Sequence, residues 1–142
     1  MTAPLPTTTA LRFAAVLDAG DWDAARALLS PMCGYECRGS TTEGPDAIVA
    51  SSREVGEWVA ATFTDVRDAS AIVATAPGWV TLELRDHMAH GAHVLDFRCR
   101  QRLAIDADGQ IEVVEHIDLP GEREKADESN AACGVERPTD GS

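Results

Sequence analysis

All four histidines of this chain, His87, His90, His93 and His116, fall in the stretch from Trp79 to Asp118, with Asp86 and Asp118 among them. A carboxylate that orients an imidazole can pass a proton near neutral pH. Asp86 lies between Arg85 and His87 but two residues from Leu84 and Met88, where an unpaired charge is costly. Two candidate catalytic pairs follow: Asp86 with His93, and His116 with Asp118. The competing reading is that each pair only satisfies its own hydrogen bonds. Tyr35, the single tyrosine, is a candidate donor to an oxyanion and equally a candidate core residue. The spacing His87-x-x-His90-x-x-His93 suggests a metal, but on a hairpin His87 and His93 point to opposite faces and His90 sits in the turn, so no metal is expected. No glycine-rich phosphate loop and no GxSxG elbow is present, so neither a nucleotide cofactor nor serine hydrolysis is expected.

These residues need a sheet to hold them. A two-residue turn at His90-Gly91 would join two strands with partner numbers summing to 181, setting Arg85 against Asp96 and Glu83 against Arg98. One face then carries Val80, Leu82, Leu84, Asp86 and Met88, together with His93, Leu95, Phe97, Cys99 and Gln101. Asp86 and His93 become diagonal neighbours. After the turn Asp106 to Gly109 a third strand follows. Pairing Ile105 with Gln110 puts Val114, His116 and Asp118 on the same face and sets Arg100 against Glu115 outside. A bulge or a different loop length would turn Ile111, Val113, Glu115 and Ile117 inward instead, as hydrophobicity alone favours.

The rest of the chain reads as cover for this sheet. Met1 to Pro6 form a loose tail. Thr8 or Thr9 caps a helix to Ala19 with Leu11, Ala14, Ala15 and Leu17 on one side, and Gly20 ends it. Asp21 caps a second helix burying Trp22, Ala25, Leu28 and Leu29, which stops before Pro31. A short strand runs from Cys33 to Arg38, and GSTTEGP is a loop. A long helix begins near Pro45 and reaches about Thr62, with Ile48, Val49, Val55, Trp58, Val59 and Phe63 at helical spacing and Gly56 as a soft spot. Val66 to Ala76 alternate as a strand. A polar helix from Glu122 to Cys133 stops at Gly134, and the last eight residues read as disordered.

Composition bounds the rest. The 142 residues suffice for one core, and 44% hydrophobic with 25% charged is an ordinary globular balance. A net charge of −12 argues against nucleic acid and against anionic membranes. No apolar run approaches a membrane span, and the start MTAPLPTTTA lacks the features of a secretory signal, so a cytoplasmic protein with reduced Cys33, Cys37, Cys99 and Cys133 is expected.

Three segments together resemble a known family: the helix corner AGDWDAARALL, the helix start EGPDAIVASSREV and the last strand DGQIEVVEHID, in that order. They resemble SnoaL-like domains of the nuclear transport factor 2 (NTF2-like) superfamily, over about residues 8–120, with 1–7 a flexible tail and 121–142 a polar helix and tail. The resemblance implies an α+β fold: a cone-shaped half-barrel in which three helices cover a curved, mostly antiparallel sheet, with a short C-terminal helix. It also implies an apolar pocket and a homodimer formed through the sheet. The superfamily includes cyclases, isomerases, epoxide hydrolases, dehydratases and non-catalytic binding proteins. In the cyclases an aspartate from the closing strands is the acid/base; the matching positions are His116 and Asp118. Ile117 stands where that ending more often has Trp, and no Asp-Arg-Asp set is evident, because Arg98, Arg100 and Arg102 read as outward-facing. Pocket-lining residues are expected to be Tyr35, Trp58, Phe63, Leu84, Leu95, Phe97, Cys99 and Val114. Two functions remain open: a cofactor-independent cyclase, isomerase or dehydratase acting on a small apolar molecule, and a non-catalytic module that binds a ligand or a partner protein.

Overall fold

The computed structural model describes residues 4–138. In chain order the elements are α1 (Pro6–Asp18), α2 (Trp22–Leu28), β1 (Leu29–Cys37), β2 (Ser40–Glu43), α3 (Pro45–Thr62), β3 (Thr64–Ala76), β4 (Trp79–His90), β5 (His93–Ile105), β6 (Ile111–Asp118) and α4 (Glu122–Cys133). The strands form one sheet in the order β2-β1-β6-β5-β4-β3. Every pairing is antiparallel except that of β1 with β6. Breaks in register within three of these pairings bend the strands, as bulges do, so the sheet curls around the helices. The expected α+β cone is the fold observed.

Each helix starts where local chemistry allows. Pro6 occupies the first turn of α1, where its missing N–H costs nothing, so the helix begins ahead of the expected Thr8 or Thr9 cap. Thr9 is instead buried, and its hydroxyl donates to the Gly109 carbonyl at 3.2 Å. That contact turns the helix so that Ala10, Phe13 and Ala14 face the core, while Leu11, expected inside, is 41% exposed. The Asp21 side chain accepts from the Ala24 N–H and caps α2, as anticipated. Gly56 is less a soft spot than a point of close approach: a Cβ there would lie 3.2 Å from the Trp22 ring of α2. The main core joins Phe13, Ala25, Leu29, Ile48, Val49, Val80, Leu82, Leu103, Ile111 and Val114.

Two segments differ from expectation. β1 begins at Leu29 rather than Cys33, and the expected loop GSTTEGP contains β2, which pairs with β1 through a two-residue turn at Arg38-Gly39. Both turn residues have positive φ (48° and 84°), the requirement of a tight hairpin. Of the expected disordered C-terminus, Val135 packs against the cluster of Phe63, Met88, Leu95 and Ala126; residues 139–142, and 1–3 of the expected N-terminal tail, lie outside the described residues. Among the described residues no helix is long and apolar enough to cross a membrane.

One fold prediction arises at Gly109. Its φ is +83°, and an added Cβ would meet the Pro4 ring at 2.8 Å. Gly109→Ala is expected to lower unfolding free energy by about 1–2 kcal/mol through left-handed strain and the displaced N-terminal segment, read by urea denaturation.

Candidate functional site

The hairpins put the chosen side chains on the inner face, but not in the expected pairing. β4 and β5 turn at Gly91-Ala92, with His90 opposite His93, so one strand is displaced against the other by two residues from the expected register. Because side chains alternate with a period of two, such a slip keeps the faces and changes the neighbours. Asp86 now opposes Phe97 and not a residue near His93. His93 is exposed at the hairpin tip, so the Asp86–His93 pair is not formed. Outside, Arg85 faces Arg98 rather than Asp96, and Glu83 faces Arg100. Glu83 bonds both Arg85 (3.0 Å) and Arg100 (3.4 Å), which offsets the like-charge neighbours. His87 also lies on the outer side, bonded to Asp96 at 2.7 Å, and His90 packs near the Phe63 ring, so the three spaced histidines do not converge.

β6 resolves both expected arrangements. A bulge between Ile111 and Val113 lets Ile111 bury completely and still turns Val114, His116 and Asp118 inward, leaving Ile117 37% exposed. Its outward Glu115 reaches Arg102 at 3.5 Å, two residues from the expected Arg100.

The inner face and the helices enclose a cavity of about 220 Å³. Tyr35, Trp58, Phe63, Leu95, Phe97 and Cys99 line it as expected from sequence, joined by Val55, Val59, Asp86, Met88, Gln101, His116, Ala126, Asn130 and Arg137. Leu84 and Val114, also expected there, pack into the main core instead. The Trp58 and Phe63 rings meet edge to face at 5.4 Å between centroids, giving the cavity a rigid aromatic wall. A groove of about 500 Å³ between the end of α1, Trp22, α3 and β3 adjoins it and shares Val55, Val59, Asp86 and Met88. Asp86 therefore stands between the two spaces.

Its electrostatics are unusual for a carboxyl. Burial, and then the hydrogen bond and charge of Asp68, push Asp86 up to about 8. Asp68 is its direct cross-strand partner on β3. Two carboxyls that close share a proton, with Asp86 as the acid donating to the Asp68 carboxylate. Asp18, at the end of α1, is raised to about 6 by burial and by Asp68. Nothing in the sequence spacing places Asp18 and Asp68 beside Asp86; the topology does.

Across the sheet lies a second polar group. Arg38 grips Asp118 with two bonds, Nε to Oδ2 at 2.6 Å and Nη2 to Oδ1 at 2.7 Å. His116 Nε2 lies 2.9 Å from Asp118 Oδ1, so the expected His116–Asp118 pair is present. Burial lowers the His116 pKa against the pull of Asp118, which favours the neutral ring at pH 7. Arg38 lowers Asp118 against the cost of burial. Burial pushes the Tyr35 phenol well above its ordinary range, so it stays a neutral O–H donor, hydrogen-bonded to Gln101.

No family model matches this chain, and neither does any curated protein. Solved structures are similar throughout. A protein described as a candidate SnoaL-like polyketide cyclase from Shewanella putrefaciens superposes with a TM-score of 0.69 at 10% identity, covering 91% of this chain and 98% of that one. An epoxide hydrolase from M. tuberculosis described as LEH-like gives 0.65 at 19% identity, covering 89% and 92%. A candidate polyketide cyclase from Pseudomonas putida gives 0.64 at 18%, covering 87% and 96%.

Proposed function

We propose that the inner cavity of this chain, whose fold is that of solved structures described as SnoaL-like polyketide cyclases, is the site of a cofactor-independent proton transfer on a small, largely apolar carbonyl compound, as in isomerisation, cyclisation or dehydration. One observation carries this reading: Asp86 borders the cavity, and its pKa, about 8, is close to working pH. General acid/base catalysis is most effective with such a group. The ionised Asp86 carboxylate takes a proton from the carbon next to a carbonyl, leaving an enolate. The Tyr35 hydroxyl donates a hydrogen bond to the developing oxyanion. Asp86, now the acid, returns the proton to the same or a conjugated carbon, or to a leaving hydroxyl. Asp68, exposed on β3, connects Asp86 to bulk water through the shared proton.

Size and lining bound the substrate. An apolar cavity of about 150 Å³ accommodates benzene, so one of 220 Å³ suits a one- or two-ring molecule. The test uses β-tetralone and phenylpyruvate in D₂O, with deuterium at the enolisable carbon followed by NMR. Exchange of at least one probe above the buffer rate, lost in Asp86→Asn, is the expected result. Exchange equal to buffer for both probes would leave a non-catalytic binding module as the better account.

We further infer that two copies associate through the outer face of the sheet. Rows of both signs stand there, Glu83 and Glu115 among Arg85, Arg100 and Arg102, and such a surface is complementary to its own twofold copy. Val94 and Ile117 add exposed apolar area. Light scattering is expected to give twice the 15.1 kDa chain mass; a single-chain mass at micromolar concentration would contradict it.

A further inference from the structure

The chain carries twice as many Asp and Glu (24) as Lys and Arg (12), yet three of its arginines gather around Cys37, and one of them, Arg137, lines the cavity. Arg38 comes from the β1–β2 turn, Arg123 from the first turn of α4, and Arg137 from the segment after it. All three act on the Cys37 thiol, which burial raises and their charges pull down. Arg38 is matched by Asp118. The other two are not matched in this way. Arg123 Nη1 is buried without a hydrogen-bond partner, and among the described residues no carboxylate lies within ion-pair distance of Arg123 or Arg137. Arg137 itself lines the cavity. Beside it stands Asn130, 94% buried, whose Oδ1 also has no partner. Amide orientation is interchangeable, so the same side chain can present its NH₂ to the cavity.

Guanidinium groups brought together out of water, with donors unused, are costly unless an anion completes them. Burial, then the neighbouring Arg123 and Arg38, lower the Arg137 pKa against the opposing charges of Asp127 and Asp118. The opposite wall is apolar: Trp58, Phe63, Met88, Leu95 and Phe97. A ligand that satisfies both ends has a hydrophobic body and one anionic head.

We propose that Arg123, Arg137 and Asn130 form a carboxylate-binding subsite, and that the cavity takes small hydrophobic carboxylic acids of one or two rings. This deepens the reading above and rests on the cavity being the ligand site, not on Asp86 moving a proton. Arg is suited to the role because its planar fork binds a carboxylate through two hydrogen bonds. Asp86, on β4, lies two strands from His116 and Asp118 on β6, so an acid anchored by these arginines extends its ring toward Asp86 across roughly 10 Å of sheet.

Calorimetry on the full chain tests this with β-naphthoate, its neutral isostere β-naphthamide, and inorganic phosphate. The naphthoate is expected to bind at least tenfold more tightly than the amide. Arg137→Gln and Arg123→Gln should each remove most of that preference while leaving amide affinity within about twofold, which also shows that the cavity remains folded. Naphthoate binding is read in the parent without turnover, so a failure of proton transfer and a failure of this subsite give separate results. Equal affinity for acid and amide would overturn the proposal. So would a naphthoate preference untouched in both arginine variants, or phosphate displacing naphthoate at comparable concentration, which would mark a general anion site.

Discussion

Replacing Asp86 with asparagine lowers proton-transfer turnover by about 10²–10⁴-fold, the usual contribution of a positioned acid/base group. Asparagine has nearly the same shape and keeps a hydrogen bond to Asp68, so the cavity is retained. It cannot accept a proton from carbon. The loss is expected in kcat, with ligand affinity little changed, because the carboxyl acts on the reacting atom and the apolar wall does the holding. A variant with the parent's kcat would remove Asp86 from the chemistry. The exchange rate of the parent should also rise with pH through a midpoint near 8 and level off above it, as the carboxylate form of Asp86 fills.

The same carboxyl makes stability fall as pH rises. In the unfolded chain Asp86 ionises near its ordinary value of 3.8; in the folded chain it does so near 8. The folded state therefore binds the extra proton between those values, and folding is favoured at the acid end of the window. Its contribution is fully present below about pH 4 and is lost as pH rises through about 8, on the order of 3–5 kcal/mol across the whole window. Asp18, raised to about 6, adds loss in the same direction over the lower part. Glu83, held below its ordinary range by Arg85, and Glu122, held down by Lys125, act oppositely at more acid pH, and His116, lowered by burial, opposes the loss only up to its ordinary 6.5. Urea midpoints measured from pH 5 to 8.5 should thus decline in the parent. Asp86→Asn should flatten most of that decline and be the more stable protein at pH 8. A parent whose stability is level across the range would contradict the buried, proton-sharing Asp86.

The outline of the fold was legible because its signals are local. Pro45 at a helix start, Gly134 at a helix stop and alternation along β4 and β5 each act within a few residues, and the observed bounds of α3 and α4 match those readings. Facing also survived in β4 to β6, since a slip of two residues preserves alternation. Pairing did not. Opposite-charge pairs contribute only about 0.2–1 kcal/mol each, too little to fix register against the geometry of the turn. Gly91 takes its positive φ at the first turn position and not the second, and that single change separated His93 from Asp86.

The parts of the site that sequence reading missed come from far along the chain. Asp68 meets Asp86 only because β3 pairs with β4, and Arg38 reaches Asp118 only because β1 runs beside β6. One clue was available in the sequence: Arg-Gly between two strand-like segments is compatible with a tight hairpin, which would have placed Arg38 at a sheet end. Arg123 and Arg137 had no such clue. They sit in a segment polar enough to read as solvated, and what draws it onto the sheet is the small buried stripe Glu122, Ala126 and Asn130.

The most direct test of the central claim is the titration of the Asp86 carboxyl itself, followed by carbon NMR in selectively labelled protein and assigned by its absence in Asp86→Asn. The account predicts a midpoint near 8. A midpoint near 3.8 would mean that Asp86 is an ordinary solvated carboxylate, with no proton to exchange with a substrate near neutral pH.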